Sequence, residues 1–165
     1  MRPAIETEKE FISRIEKHQG IIHKICFVYA KNESDREDLY QEIILQLWKS
    51  YPSFKENSAF STWMYRVALN TAITQIKKPN LLLLNIEMPT VGDDSISQME
   101  ASEDVKVLYE AISQLNKIEK AIILLWLDEK SYEEIADTIG ISIKNVSVKL
   151  VRIKAKLAQL IQKLQ

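Results

Sequence analysis

The chain has few residues that interrupt helices, with only three glycines and four prolines among its 165 residues. Its apolar residues recur at helical spacing instead of alternating along the chain, and this periodicity predicts an all-α fold. Nearly half of the residues are apolar, so the chain is long enough to bury the core of one medium domain or two small ones.

Cysteine and histidine are equally scarce. Cys26 is the only cysteine, which excludes a disulfide within the chain, and its apolar neighbours predict a buried structural thiol. His18 and His23 have no cysteine or histidine cluster beside them, so we expect no metal site. The sequence also lacks a Gly-rich phosphate loop and a recognisable nucleophile–base pair. We therefore expect neither an enzyme nor a bound cofactor.

Long apolar runs are missing as well. The leucine run from Leu81 to Leu84 is far too short to cross a bilayer. The N-terminus lacks the charged-then-apolar pattern of a signal peptide. We therefore expect a cytoplasmic protein with no membrane insertion.

The two signs of charge nearly balance, with a net charge of −1, so composition as a whole does not indicate a nucleic-acid partner. The distribution along the chain is uneven. Residues 140–165 contain six lysines or arginines and no acid, whereas residues 33–42 contain five acids and one arginine. This asymmetry indicates either two different partners or only solvated helix faces.

Helix signals are strong in the first half of the chain. The opening helices are broken near Gly20, and Ser34 with Glu37 forms a capping-box pattern that predicts a helix start. That helix should run to about Tyr51, and the next should begin at Ser58 or Ser61.

Helical periodicity fails after this point and resumes later. The intervening segment is rich in serine, proline and aspartate, a composition typical of linkers. The chain therefore divides into an N-terminal helical module (1–78), a flexible linker (79–103) and a C-terminal helical module (104–165).

The stretch from Ser131 to Arg152 has the pattern of a helix-turn-helix. An apolar face is followed by Gly140, which suits the left-handed conformation at a helix end, and Ser142 stands where the second helix needs an N-cap. We expect Ile143, Val146 and Leu150 to point inward. The polar residues Lys144, Asn145, Ser147, Lys149 and Arg152 point outward. A glycine turn before a basic helix is how many proteins enter the DNA major groove, although a solvated amphipathic helix is the alternative.

Two earlier segments also have functional patterns. Asp38, Gln41 and Glu42 share a helix face, opposite an apolar stripe, that could meet a basic partner helix or simply be solvated. From Phe54 to Asn70, aromatic residues alternate with basic and amide residues, as on surfaces that stack unpaired bases. Core packing is the alternative for the aromatic residues. The residues that fall off the apolar stripe are Tyr65, Arg66 and Asn70, and Trp63 suits both roles.

These three segments, in this order, resemble the extracytoplasmic-function (ECF) group of bacterial RNA polymerase sigma factors in the sigma-70 family. The segment from Asp38 to Trp48 resembles the helix that binds the polymerase clamp. The segment from Phe60 to Ala72 resembles the helix that melts and reads the −10 element, and Leu115 to Leu157 resembles the −35-reading module.

The resemblance implies a role for each group of residues. Those implied to contact the clamp coiled coil of core RNA polymerase are Asp38, Gln41 and Glu42. Those implied to contact the −10 element, including the loop that receives a flipped base, are Lys55, Asn57, Ser58, Trp63, Tyr65, Arg66 and Asn70. Those implied to contact the −35 element are Lys144, Asn145, Ser147, Val148, Lys149 and Arg152. The partners implied are core polymerase, promoter DNA and an anti-sigma factor.

This chain departs from the family where promoter choice is decided. Many relatives have Gly-Thr in place of Lys144-Asn145 and Arg-Ser in place of Ser147-Val148. The promoter sequence is therefore not carried over with the resemblance. Two other functions stay open from the sequence: a helix-turn-helix regulator that acts without polymerase, and a bundle that binds only proteins.

Overall fold

The structure is a computed structural model that describes residues 4–56, 59–74 and 102–165. Within these ranges the chain forms eight α-helices and one short 3-10 turn, with no strand, so the predicted all-α fold class is confirmed. No helix in these ranges combines the length and the apolar character needed to cross a bilayer. The predicted linker, apart from residues 102–103, lies outside the described residues.

Four helices form the N-terminal module, and they are α1 (Ala4–Lys17), α2 (Gln19–Tyr29), α3 (Glu33–Ser50) and α4 (Phe60–Thr74). The helices α1 and α2 are separated at His18, where φ is −122°, so Gly20 lies inside α2 and not at the break. A 3-10 turn, Tyr51–Ser53, follows α3 directly and contains Pro52, in agreement with the predicted end of this helix.

The start of α3 differs from the prediction. Asn32 is its N-cap, because its backbone is extended and its side chain accepts a hydrogen bond of 2.8 Å from the Asp35 N–H. Ser34, predicted as the cap, lies instead in the first turn of the helix. Asparagine and serine are about equally good caps, so side-chain chemistry alone does not choose between two positions this close.

Four helices also form the C-terminal module, and they are α5 (Glu103–Ser113), α6 (Lys117–Leu127), α7 (Tyr132–Ile139) and α8 (Ile143–Leu164). Ser102 caps α5, and a reciprocal capping box of Asn116 with Glu119 begins α6. These caps satisfy backbone N–H groups that would otherwise lack partners at each helix start.

The two predicted modules are present, and they pack against each other. Helix α2 contacts α5 and α6, and α4 contacts α6 and α7, so the buried apolar side chains form one continuous core. Tyr29 reaches across this junction, where its hydroxyl donates a 2.6 Å hydrogen bond to the carbonyl of Lys117. Direct contacts between described residues thus hold the two modules together.

The single thiol is buried, as predicted. Cys26 is 3% exposed and belongs to the core. Burial raises the pKa of the Cys26 thiol, which keeps it in the unreactive protonated form.

Candidate nucleic-acid interface

The turn of the helix-turn-helix has the Gly140 helix end and the Ser142 cap that the sequence predicts. Ser131 and Glu134 form a capping box at the start of α7. Gly140 ends this helix with a left-handed φ of 83°, and its N–H donates to the carbonyl of Ala136 at 2.8 Å. Ser142 then caps α8 by accepting a 3.1 Å hydrogen bond from the Asn145 N–H. Local backbone chemistry therefore sets the angle at which α8 leaves the turn.

The outer face of α8 carries the side chains proposed to meet DNA. Four buried residues face the core, and they are Val146, Leu150, Ile153 and Leu157. The six predicted −35 residues are all exposed, and they are Lys144, Asn145, Ser147, Val148, Lys149 and Arg152. Val151, which the sequence argument did not single out, is the most exposed large apolar residue in the described chain, at 69%.

One inward prediction for α8 is wrong. Ile143 is 48% exposed, although its spacing from Val146 suggests the buried face. It occupies the first position of the helix, and Ile141 in the preceding turn packs against the core instead. Helical periodicity does not predict the burial of Ile143, because this residue begins α8 and the turn before it is not helical.

A groove of about 520 Å³ brings the basic side of α8 next to the start of α6. Lys149 and Arg152 line it on one side, and Asn116 and Lys117 line it on the other. Lys117, Lys149 and Arg152 thus bring three cations to the groove, which the Glu119 carboxylate also lines, and cations of this kind suit contact with a DNA phosphate. The sequence argument missed Lys117, because its helix was not connected with α8 before the fold was known.

Lys156, one helical turn beyond Arg152, is already engaged. Its ammonium group pairs with the Glu119 carboxylate at 3.1 Å. The charge of Lys156 is therefore partly neutralised, whereas Lys144, Lys149 and Arg152 are exposed in the N-terminal half of the helix.

The predicted polymerase-binding face of α3 is more covered than the sequence suggests. Asp38 and Gln41 are half-buried, while Glu42 is only 5% exposed and accepts a 2.9 Å hydrogen bond from Gln46. Leu45 on the same face is also buried. Full solvation of this face, one of the two alternatives from the sequence, is wrong for Glu42, because α3 packs against both α2 and α4.

Most of the aromatic residues around the start of α4 form a cluster. The members have ring centroids 5.0–6.2 Å apart and are Phe11, Trp48, Tyr51, Phe54, Phe60 and Trp63. Trp63 is 9% exposed, so its core role predominates in this structure. Lys55 is exposed beside the cluster, and the predicted residues Asn57 and Ser58 lie outside the described residues.

Two of the three predicted strand-holding residues are accessible. Arg66 and Asn70 are exposed on α4, one turn apart. Tyr65 is fully buried, so the prediction that it lies on an open surface is wrong. Burial is the main cause that raises the pKa of its hydroxyl, and the charge of Asp128 from the C-terminal module adds to this. The second module covers the side of α4 that periodicity assigns to solvent.

The start of α4 is tied to the helix-turn-helix by two polar contacts. The buried Thr62 hydroxyl donates to the Glu134 carboxylate at 2.9 Å, and the Lys130 ammonium group donates to the Ser61 hydroxyl at 2.7 Å. The pKa of Glu134 is lowered, first by the hydrogen bond from the Ser131 backbone and then by that from Thr62. These pairs are far apart in sequence, so no local signal could have predicted them.

Comparison with known families gives two matches along the chain. Residues 14–80 match the family model described as Sigma-70 region 2, and residues 106–157 match the model described as Sigma-70, region 4. Together the two matches span well over half of the chain. They fall on the N-terminal and the C-terminal helical modules respectively.

Individual relatives align over nearly the whole chain. The ECF RNA polymerase sigma factor SigW of Bacillus subtilis is 29% identical, over 86% of this chain and 83% of its own length. The ECF RNA polymerase sigma-E factor of Haemophilus influenzae is 28% identical, over 95% of this chain and 90% of its own.

Solved structures share the fold. The sigma factor RpoE in complex with the anti-sigma factor NepR, from Bartonella quintana, superposes with a TM-score of 0.68 at 18% identity, over 93% of this chain and 98% of that one. CnrH in complex with the cytosolic domain of CnrY gives a TM-score of 0.65 at 17% identity, over 97% and 95% of the two chains.

Proposed function

Since this chain belongs to the ECF group of the sigma-70 family and is an RNA polymerase sigma factor, we propose that it divides promoter recognition between its two modules. Residues 1–78 bind core polymerase and open the −10 element, residues 79–103 connect, and residues 104–165 read the −35 element. The chain contributes binding and positioning to initiation, while the chemistry belongs to the polymerase. This assignment implies action in the cytoplasm, with promoter DNA and core polymerase as partners.

The −35 role is supported by the exposed face of α8. Its N-terminal half presents Lys144, Asn145 and Ser147 to a major groove, where base edges are read, and Val148 suits contact with a thymine methyl group. Lys149 and Arg152 lie at the groove beside α6, where they would hold one phosphate strand. This capped helix with its open basic face is the observation that carries the proposal.

The −10 role is supported by the exposed polar side of α4. Arg66 and Asn70 would hold the separated strand, and Lys55 lies in the loop that would receive a flipped base, together with residues 57 and 58. Tyr65 and Trp63 are covered in the present arrangement. A role of Tyr65 in strand binding would require the modules to move apart, whereas Trp63 is covered by the aromatic cluster of its own module.

Separation of the modules is therefore a step of the proposed function. The contacts of Ser61 and Thr62 with Lys130 and Glu134 occupy the start of α4. Promoter elements spaced along a duplex also place two reading helices far apart. In this proposal core polymerase binds the separated modules more tightly than the closed ones, so its binding shifts the equilibrium toward the open arrangement.

Polymerase binding is assigned to the acidic part of α3. Asp38 and Gln41 are half-buried at its surface, with the buried Glu42 beside them. The basic residues of a coiled coil would donate charge-assisted hydrogen bonds to the Asp38 carboxylate. Asp38→Lys should weaken core binding by about tenfold, a magnitude typical of one charge-assisted contact, whereas Lys9→Ala, an exposed change on α1, should not. Equal core affinities of the two variants, measured by fluorescence anisotropy, would remove this assignment.

A separate anti-sigma factor is the regulator we propose, in line with the complexes in which the two similar structures were solved. A groove of about 510 Å³ between the modules offers a docking place. Its apolar wall includes Val67, Ile118 and Ile139, and Arg66 and Asn70 lie along it. A helix bound there would cover residues assigned to the −10 strand.

Run-off transcription with purified core polymerase on a promoter library tests the proposal as a whole. The holoenzyme should yield specific, salt-sensitive transcripts whose promoters share two elements, while the chain alone should bind these promoters weakly. Tight binding to a palindromic duplex without polymerase, together with no transcript, would identify a polymerase-independent regulator instead.

A further inference from the structure

Helix α1 contributes an arginine to the segment that precedes α4. The Arg14 guanidinium lies 5.6 Å from the ring centroid of Phe54 and 5.4 Å from that of Phe60. The two rings are themselves 5.5 Å apart in an edge-to-face arrangement. Arg14 therefore contacts both the residue before the loop and the residue at which α4 begins.

The same guanidinium also binds the loop through a charge. Its Nη2 atom lies 3.0 Å from the Glu56 carboxylate and 3.2 Å from that of Glu10 on its own helix. The hydrogen bond with Glu56 is the main cause that raises the pKa of Arg14. Arg14 and Glu56 are 42 residues apart in sequence, so this contact is a tertiary one that joins α1 to the loop.

Glu56 has an unusual backbone conformation. Its φ of 59° lies in the left-handed region, which residues other than glycine and asparagine rarely adopt. Such a residue keeps this conformation only where its surroundings hold it. Among the described residues, the ion pair with Arg14 is a tertiary contact that ties the Glu56 side chain to α1.

Stability alone explains little of this arrangement. The Glu56 side chain is 69% exposed and that of Arg14 is 29% exposed, and ion pairs at such positions contribute weakly to stability. Their geometric effect is larger, because Lys55 lies between Phe54 and Glu56, and Arg14 contacts both of these neighbours.

We infer that Arg14 is a positioning residue for base capture, which fixes Phe54, Glu56 and Phe60 and so holds Lys55 in place for a base from the −10 strand. The inference rests on the proposed function, which assigns this loop to the flipped base. Because these residues are fixed before DNA binds, the entropy cost of ordering them on binding is avoided.

The test uses holoenzyme and a promoter obtained from the library, with 2-aminopurine placed in turn at each position of the −10 non-template strand. Arg14→Ala should reduce the fluorescence increase at one position and weaken binding of the single-stranded −10 oligonucleotide by about fivefold. Arg14→Lys should lose less, because it keeps the charge opposite Glu56 but not the flat guanidinium. The control Lys17→Ala removes an exposed cation from the same helix and should match the wild type.

Glu56→Gly separates positioning from stability. Glycine accepts the left-handed conformation, so the thermal midpoint should stay close to that of the wild type, while base capture should fall as it does in Arg14→Ala. Core affinity and duplex −35 affinity should not change in either variant.

Two results would overturn the inference. One is a wild-type 2-aminopurine signal at every −10 position in Arg14→Ala. The other is an equal loss of −10, −35 and core binding, which would mean that Arg14 serves only the fold. Failure of the wild-type holoenzyme to open any promoter would instead overturn the proposed function, so the two failures are distinguishable.

Discussion

The contact between Thr62 and Glu134 offers a direct way to loosen the two modules. Thr62 is 3% exposed, and its hydroxyl donates a 2.9 Å hydrogen bond to a carboxylate of the other module. Thr62→Val removes this donor and replaces it with a methyl group of similar size. Packing at the junction is therefore nearly preserved while one connection is lost.

The expected magnitude follows from the surroundings of the two groups. A hydrogen bond to a charged group contributes about 1.5–3 kcal/mol. Glu134 is only partly buried and keeps its hydrogen bond to the Ser131 N–H, so water can solvate its free oxygen after the substitution. We therefore expect the lower end of the range, about 1.5 kcal/mol, which raises the population of separated modules by about tenfold.

The separation can be measured by energy transfer between dyes. Lys49→Cys on α3 and Gln159→Cys on α8 place reactive thiols on exposed positions of the two modules, and the buried Cys26 is protected from labelling. Urea titration of the transfer signal gives the free energy of opening. Thr74→Val is the matched control, since within the described residues the Thr74 hydroxyl donates to carbonyls of its own helix.

The reasoning would be refuted by equal opening free energies in the Thr62→Val and Thr74→Val variants. A double-mutant cycle with Glu134→Gln adds a second criterion, because glutamine keeps the capping box of α7. Additive effects of the two substitutions would mean that the side chains are not coupled. If opening precedes polymerase binding, Thr62→Val should also tighten core affinity.

Three further outcomes are expected. Gly140→Ala should lower the free energy of unfolding by about 1 kcal/mol, because alanine is disfavoured at φ 83° although no atom lies within 4 Å of the added Cβ; an unchanged urea midpoint would contradict this. Lys149→Gln should reduce the slope of log affinity against log salt by about one in holoenzyme–promoter titrations, and an unchanged slope would mean no phosphate contact. The folded-state pKa of Glu134 lies below its ordinary value of 4.5, so the stability it adds is complete above that pH and is lost as pH falls through the folded-state pKa. Glu134→Gln should remove this part of the acid dependence, which denaturation curves at several pH values can detect.

Local chemistry was predictable from the sequence. The Ser142 cap and the left-handed Gly140 were identified correctly, because each depends on residues within one helical turn. The outward face of α8 was also predictable, since only its opposite side packs against the module. These features follow from short-range hydrogen bonds and one-sided burial.

Burial from a second direction was not predictable. Tyr65 and Glu42 lie off the apolar stripes of α4 and α3, yet both are covered, because these helices contact neighbours on more than one side. Periodicity identifies a helix face that prefers burial, but it does not show which other face a distant segment covers. Glu134 and Lys130 carry no sign in the sequence that their partners lie 72 and 69 residues earlier.

The chain is synthesised from its N-terminus, so the two sides of the junction between the modules are made at different times. Thr62 leaves the ribosome 72 residues before its partner Glu134. At typical bacterial synthesis rates this interval lasts on the order of ten seconds, long enough for the first four helices to fold. During that time the start of α4 has no second module to cover it. Each newly made molecule therefore passes once through a stage in which the start of α4 is uncovered, before the second module packs against it.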